Sequence, residues 1–261
     1  MVLTGVSGGL LSGVVGGGGG AIMVPLMTGV LKLRQHVAHG TSLVVITFAA
    51  LASAITYTIG ESVDWALVMI LVAASMAGAF LGANGAQHLP ALRLRQALGS
   101  VLLLVAVRLM FFRDLDAVFD VAGASEALAG GAIGLAGGLL SGALGVGGGA
   151  IFVPALVILL GTPQHEAQGI SLWVVVCAAA TGAVTHYRLG TVDARSARWI
   201  APVAVPAGVA GSLVAHWLDT GQLQTVFAVI LTAIGLQMVV TATRRLRRPA
   251  ATTPVAGEAA A

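Results

Sequence analysis

Two glycine runs carry the backbone best suited to binding chemistry. The first is five consecutive glycines, and the second has one interruption, Val146. Glycine takes positive φ and lets a ligand approach the backbone closely, and a helix that starts after such a run offers free N–H groups and a positive partial charge. The runs therefore predict an anion site, formed by Gly16, Gly17, Gly18, Gly19, Gly20, Gly145, Gly147, Gly148 and Gly149.

Small polar side chains near the runs are candidate substrate contacts. Hydroxyl, amide and imidazole groups can donate hydrogen bonds to anion oxygens. Their alternative roles are helix capping and hydrogen bonding between helices. The candidates are Ser12 and Ser141 before the runs, and His39, Thr41, Ser42, Gln168 and Ser171 after them.

Ionisable or phenolic groups in apolar segments are functional hypotheses. His186 and Arg188 close one apolar segment, and Tyr57 occupies the position equivalent to His186 in the other half of the chain. These three are candidates for a gate or proton relay. Their closeness to a membrane interface, where long side chains reach water easily, favours an ordinary interfacial role.

Other chemistry-bearing residues have simpler interpretations. Asp64 and Asp193 precede apolar segments and are predicted helix N-caps, while His36 and His165 lie in links and are predicted capping or surface residues. The single cysteine, Cys177, is predicted to be a buried thiol. The sequence shows neither a metal-ligand cluster nor a nucleophile–base arrangement, so no metal and no cofactor are predicted.

The composition requires a lipid environment. Of the 261 residues, 57% are hydrophobic and 9% are charged, whereas soluble domains carry roughly 25% charged residues. Soluble enzymes, nucleic-acid modules and disordered proteins are excluded. Continuous apolar runs favour helices over a β-barrel, whose strands alternate polar and apolar residues.

Charge-free stretches divide the chain into eight apolar segments, followed by a tail over 244–261 that is predicted to be disordered. Six have the length of single spans, but the first and fifth are too long and too glycine-rich. The segments are 3–31, 38–60, 65–87, 94–112, 127–161, 167–187, 199–217 and 223–242.

The two halves of the chain are repeats of each other. Residues 8–25 and 137–154 match at 14 of 18 positions with an offset of 129. The same offset aligns Ser42 with Ser171 and Asp64 with Asp193. The predicted organisation is a first membrane repeat over 1–112, a linker over 113–126 and a second repeat over 127–243.

Basic residues occupy opposite links in the two repeats. Lys32 and Arg34 follow the first segment, but the equivalent link of the second repeat has no Lys or Arg; Arg188, Arg195 and Arg198 follow its second segment instead. By the positive-inside rule, equivalent links lie on opposite sides of the membrane. The repeats therefore have inverted topology.

Inversion requires an odd number of crossings per repeat. Four segments per repeat satisfy this if the first segment of each repeat enters the membrane, breaks at its glycines and returns to the same side. Each half of such a segment has about a dozen residues and a length of about 18 Å. This length reaches the middle of a 30 Å hydrocarbon core. The fold class is an all-α polytopic membrane protein with two inverted repeats, six full spans and two broken, re-entrant helix pairs. The alternative is eight plain spans.

Glycine pairs at GxxxG spacing have a different role. Gly78 with Gly82, and Gly134 with Gly138, are interpreted as helix-packing contacts. Packing is also the alternative interpretation of the two runs, although their matched prolines, Pro25 and Pro154, favour a site.

Paired motifs around the runs resemble one family. Residues 38–43 read AHGTSL, residues 167–172 read AQGISL, and the following links end in SVD and TVD. From about residue 5 to 240 the chain is similar to the sulfite exporter TauE/SafE family of membrane permeases. The resemblance implies transport of small sulfur-containing oxyanions or organosulfonates. Ile170 replaces the threonine of the GTS motif and Val146 interrupts the second run, so the two half-sites are unequal.

The predicted function is export of a small sulfur-containing anion by alternating access, with the glycine tips forming a midplane site. The alternatives are a passive anion channel, an integral-membrane enzyme of sulfur metabolism that would use Cys177, and a non-transporting scaffold.

The predicted location is the bacterial inner membrane with a cytoplasmic C-terminus, because Arg244, Arg245, Arg247 and Arg248 cluster there. Expected partners are the substrate anion, lipid, a coupling ion (H⁺ or Na⁺) and a second copy in a homodimer, but no nucleic acid.

Overall fold

The chain folds into α-helices wherever the computed structural model describes it, over residues 1–17, 19–60, 63–85, 91–111 and 123–246. Gly18, most of the predicted linker and residues 247–261 of the predicted tail lie outside these ranges. The helices are α1 (Val2–Val15), α2 (Gly20–Gly29), α3 (Gln35–Gly60), α4 (Trp65–Gly85), α5 (Ala91–Phe111), α6 (Ala124–Leu144), α7 (Gly149–Leu159), α8 (Gln164–Arg188), α9 (Ala194–Trp217) and α10 (Thr220–Leu246).

Seven of these helices are long and apolar enough to cross a membrane, which confirms the all-α membrane class. They are α3, α4, α5, α6, α8, α9 and α10. The sequence predicted six. The seventh is α6, which has 21 residues where about a dozen were expected, because it begins three residues before the predicted segment and runs unbroken to the glycines.

Both predicted helix breaks are present. Helix α1 ends at Gly16, whose φ is 77°, and α6 ends at Gly145, whose φ is 65°. Helices commonly end at a residue in the left-handed conformation, and glycine adopts this conformation without the clash of a Cβ atom. After each break a short helix begins, with 10 residues in α2 and 11 in α7. The α1–α2 and α6–α7 pairs are called the two broken hairpins below.

The first helix of each broken hairpin packs against the other repeat. A Cβ atom on Gly9 would lie 2.2 Å from the Ala204 carbonyl oxygen of α9. Helix α6 approaches α4 equally closely, since a Cβ on Gly138 would lie 2.2 Å from the Ser75 carbonyl oxygen. The predicted packing role of the GxxxG glycines is confirmed, since Gly82 meets Leu139 of α6 in this way.

Contacts along these pairs give the helix directions. Gly5, Gly9 and Gly13 meet Ile200, Ala204 and Gly208 in the same order, so α1 and α9 run parallel. Gly134, Gly138 and Gly142 likewise meet Leu71, Ser75 and Ala79, so α6 and α4 run parallel.

The two central helices, α3 and α8, run antiparallel. Leu43 contacts Gly182 near one end of the pair, and Tyr57 bonds Gln168 near the other. Helix α3 also runs parallel to α9, since Thr41 bonds Asp193 and Ser53 contacts Gly208. Helices α1 and α3 therefore share a direction, and the short α2 between them turns back.

Candidate functional site

The two glycine breaks meet in the middle of the molecule. A Cβ atom on Gly147 would lie 2.6 Å from the Gly17 carbonyl oxygen, and one on Gly149 would lie 2.2 Å from the Gly16 oxygen. The breaks contact Val175 of α8 and Ile46 of α3, each near the middle of its helix. Only glycine permits this approach of two backbones, which is why both runs lack side chains.

Two equivalent serines fix the breaks to the central helices. The Ser171 hydroxyl donates to the Gly16 carbonyl at 2.9 Å, and the Ser42 hydroxyl donates to the Gly145 carbonyl at 2.8 Å. These carbonyls lie at the ends of α1 and α6, where no following helical N–H is available. The predicted substrate serines therefore have a structural task, namely holding the breaks in place.

The position equivalent to His39 in the second repeat, Gln168, also binds a hairpin. Its amide nitrogen donates to the Val14 carbonyl at 3.1 Å, and the Tyr57 hydroxyl donates to its amide oxygen. The position equivalent to Tyr57 is His186, whose Nε2 lies 3.1 Å from the Gly142 oxygen and whose Nδ1 lies 2.8 Å from the Thr191 hydroxyl. Of the three predicted gate residues, His186 therefore contacts a broken hairpin directly, and Tyr57 is connected to one through Gln168.

Arg188 and Thr41 lie away from the breaks. Arg188 is exposed in a separate cleft between α4 and α8, which Asn84 also lines. The Thr41 hydroxyl accepts from the Asp193 amide at 2.9 Å and so joins α3 to the start of α9.

Both predicted aspartate N-caps are confirmed. Asp64 accepts from the Ala66 and Leu67 amides. Asp193 accepts from the Arg195 and Ser196 amides. The Ser196 hydroxyl also donates to Asp193, and this bond, followed by those from the amides, lowers the pKa of the Asp193 carboxyl.

Ser12 and Ser141 lie one turn before the breaks and are completely buried. Within the described residues, neither hydroxyl oxygen has a hydrogen-bond partner. The ring nitrogens of His39, which is 1% exposed, also lack a well-aligned partner there. Among the described residues, the Ser12 and Ser141 hydroxyls are therefore buried near the breaks without a hydrogen-bond partner.

A cavity of about 210 Å³ lies beside the first break and extends along α2. It is smaller than the roughly 300–1,000 Å³ pockets of drug-sized ligands, so it suits a small solute. Arg95 of α5 lines it and is only 8% exposed. The other lining residues are Gly20, Ala21, Pro25, Thr28, Gly29, Val146, Gln237, Met238 and Thr241.

The electrostatics of this cavity favour an anion. Gly20 and Ala21 are the first residues of α2, so their N–H groups have no intrahelical acceptor and carry the positive end of the helix dipole. Arg95 adds a full positive charge, and Thr28 and Gln237 add neutral hydrogen-bonding groups. A guanidinium beside a helix N-terminus binds carboxylate, sulfonate or similar oxyanions.

Arg95 is not among the site residues predicted from the sequence, although it lies within the predicted segment 94–112. Helix α5 begins at Ala91, so Arg95 lies one turn inside the helix. The signal was an arginine just before an uninterrupted apolar run, where its side chain has no water on the helix surface.

The cavity at the equivalent position of the second repeat is apolar. Ala150 and Pro154, the equivalents of Ala21 and Pro25, line a cavity of about 410 Å³ whose residues are all apolar. Gln224 stands at the position of Arg95, and Val157 at that of Thr28. In the part of the chain that the structure describes, no group of three or more His, Cys, Asp or Glu residues could hold a metal.

Comparison with known proteins agrees with a membrane-transport role. The family model described as "Sulfite exporter TauE/SafE" matches twice, over residues 1–126 and 127–260. The "Probable membrane transporter protein YunE" of Bacillus subtilis (strain 168) is 28% identical, over 92% of this chain and 96% of the relative. A "Probable membrane transporter protein" of Xylella fastidiosa (strain 9a5c) is 28% identical, over 92% and 95%. No solved structure matches the chain. With both halves matched by one family model, the chain belongs to the sulfite exporter TauE/SafE family and is a membrane transporter.

Proposed function

We propose that the protein is a secondary transporter that exports small sulfur-containing anions, and that the Arg95 cavity is its binding site. The observation that carries the proposal is the buried Arg95 in a cavity that the first residues of α2 also line. The sulfur-containing substrate class comes from the description of the matched family, since the cavity chemistry alone fits any small oxyanion.

Alternating access is supported by the helix directions. Helices α1, α3 and α9 share one direction, while α8 runs against α3. This is the arrangement expected of inverted repeats with broken helices at the midplane. Each broken hairpin is fixed to the other repeat, through Ser42 or Ser171 and through its packing on α4 or α9, so rocking of one repeat would move the break of the other.

Export from the cytoplasm is supported by the distribution of basic residues. The cavity reaches the end of α2, the beginning of α5 and the end of α10. Basic residues of the described chain concentrate at this end of the molecule: Lys32, Arg34, Arg93, Arg95, Arg188, Arg195, Arg198 and Arg244. By the positive-inside rule this end faces the cytoplasm, which supports an inner-membrane exporter that takes its anion from the cytoplasm.

Flux through proteoliposomes tests the proposal. The reconstituted protein is given labelled thiosulfate, sulfite, sulfoacetate, taurine or lactate, with and without an imposed proton gradient. We expect uphill flux of a sulfur oxyanion or sulfonate, and Arg95→Gln should reduce it about 10- to 100-fold because a charge-assisted hydrogen bond contributes about 1.5–3 kcal/mol. The matched control is Gln224→Ala, at the equivalent position of the second repeat.

Each other outcome argues against part of the proposal. Flux that never runs uphill would identify a passive anion channel. Equal flux in Arg95→Gln and wild type would remove the cavity as the site. No flux of any sulfur compound by folded protein would remove the substrate class.

A further inference from the structure

His39 is an imidazole buried beside the second glycine break. Its side chain is 1% exposed, and its ring nitrogens lack a well-aligned hydrogen-bond partner among the described residues. Its backbone contacts Gly145, whose Cβ would lie 2.7 Å from the His39 Cα. A change in the charge of this ring would therefore act directly where the broken hairpin meets α3.

Three other cationic or titratable side chains lie near this ring. Arg95 of α5 lines the anion cavity together with Val146, which directly follows the Gly145 that His39 contacts. His186 of α8 lies beside Gly40, the residue after His39, and the His36 and His39 ring centroids are 6.3 Å apart. Arg95 is also the residue that supplies the positive charge of the anion cavity.

The other helices around α3 bring few charges near it. Helices α1, α2 and α7 contain no titratable side chain. The titratable residue of α6 is Glu126, which lies in the first turn of that helix and far from the break. From α9, the cap residue Asp193 bonds Thr41, Arg195 and Arg198 lie in the exposed first turns, and His216 packs on Tyr57 at the opposite end of α3.

The second repeat has a neutral version of this cluster. The equivalent of His39 is Gln168, that of His186 is Tyr57, and that of Arg95 is Gln224. Only His36 has a histidine, His165, at its equivalent position. Gln168 bonds Val14 and Tyr57 bonds Gln168, so the neutral cluster is a fixed hydrogen-bonded connection. The half of the molecule with the anion cavity is therefore also the half that can change its charge.

We propose that protonation of His39 is coupled to anion binding at Arg95, so that the protein moves one proton together with each anion. The inference rests on the proposed function and names its coupling ion. Without an anion, burial of the imidazole opposes a positive charge on His39, and the Arg95 guanidinium opposes it further, because charges interact strongly in a water-poor interior. A bound anion offsets the guanidinium charge, and the imidazole then takes a proton from water.

The coupling is reciprocal. If the anion promotes protonation of His39, protonation must raise anion affinity by the same factor. Both species leave together after the site opens to the other side, with the anion leaving Arg95 and the proton leaving the imidazole. For a monovalent anion such as a sulfonate, the anion and the proton together leave the net charge of the site unchanged.

Calorimetry on the full-length protein in detergent tests the coupling. Ethanesulfonate is the probe, because its charge does not change across the range from about pH 5 to about pH 8 in which histidine titrates. Titrations in two buffers with different heats of ionisation give the number of protons taken up per bound anion. We expect net uptake approaching one proton, and an affinity that rises by up to about tenfold for each unit of falling pH.

Variants assign the proton to a residue. His39→Gln, which installs the residue of the second repeat, should bind with an affinity that no longer changes with pH. The control, His165→Gln in the neutral cluster, should keep the wild-type pH dependence. Binding without proton uptake in wild type would overturn the coupling and leave the anion site intact, whereas no binding at any pH would overturn both. Proton uptake that persists in folded His39→Gln would also overturn the proposal.

Discussion

At the scale of single residues, the most informative observation is that matched positions have diverged in chemistry while keeping their place. Ser42 and Ser171 perform the same task on opposite hairpins. His39 and Gln168 occupy equivalent places but differ in their capacity for charge. Sequence comparison of the two halves identified these pairs, but it could not show that the serines bind backbone carbonyls, because their acceptors lie more than 100 residues away.

Removing either serine hydroxyl should destabilise the protein. Ser42→Ala and Ser171→Ala each leave a buried carbonyl at a helix break without its donor, which costs about 1–3 kcal/mol. Thermal unfolding in detergent should show a lower midpoint for both variants. Ser100→Ala is the control, since Ser100 is exposed and bonds only its own helix; an equal loss there would contradict the explanation.

The Asp193 cap should make stability depend on pH in the acid range. Its pKa is lowered by the Ser196 hydroxyl and the helix amides. The capping contribution is therefore complete above the ordinary value of 3.8 and is lost as the pH falls through the folded-state value. Asp193→Ala should lower stability by about 0.5–2 kcal/mol at neutral pH.

Unfolding midpoints of wild type and Asp193→Ala, compared from about pH 3 to about pH 7, check this prediction. The difference between the two proteins should shrink in acid. A difference that is constant over the whole range would show that the cap does not depend on the ionised carboxylate.

At the scale of helices, the breaks were predictable and the lengths were not. Consecutive glycines and a matched proline indicate a broken helix, because glycine adopts positive φ without the clash of a Cβ atom. The length of α6 and the position of Arg95 depend on where a helix begins, which short polar links do not specify. The pairing of α1 with α9 could not be predicted, because it depends on tertiary contacts and a glycine-rich helix face does not identify its partner.

A side chain at the second break should abolish transport. Gly148 has φ of 89°, and a Cβ there would lie 2.6 Å from the Phe152 ring. Gly148→Val combines backbone strain with this clash, so the variant should reach the membrane but lose flux. The predicted counterpart, Gly18→Val, falls on a residue outside those described.

Gly131→Val provides the control for Gly148→Val. It lies on the same hairpin, in α6, and a Cβ there meets nothing within 4 Å. Flux should remain within about twofold of wild type, because a side chain there meets no neighbouring atom and such positions tolerate substitution. Undiminished flux in Gly148→Val would show that the break serves packing alone.

At the scale of the whole molecule, opposite ends of the antiparallel central helices should face opposite sides of the membrane. Lys32 is exposed just before α3, and Pro163 is exposed just before α8. Single cysteines at these positions, in a Cys177→Ser background, should react with an impermeant thiol reagent from opposite sides. Reaction of both from the same side would contradict the inverted repeats.

The same background tests the alternative of a membrane enzyme. Cys177 is the single cysteine of the chain, and it is half-buried on α8. Cys177→Ser should transport at the wild-type rate, because the anion cavity does not include it. Loss of function in a normally folded Cys177→Ser protein would favour thiol chemistry instead.

The crossed packing of the broken hairpins has a consequence for biosynthesis. Helix α1 is among the first parts of the chain to leave the ribosome, yet its partner α9 follows about 180 residues later, which takes roughly 10–35 s at usual elongation rates. During that interval the face of α1 formed by Gly5, Gly9 and Gly13 contacts lipid or the insertion machinery. The first half therefore cannot reach its final structure alone, whereas two halves divided between α5 and α6 and synthesised in one cell should complement each other.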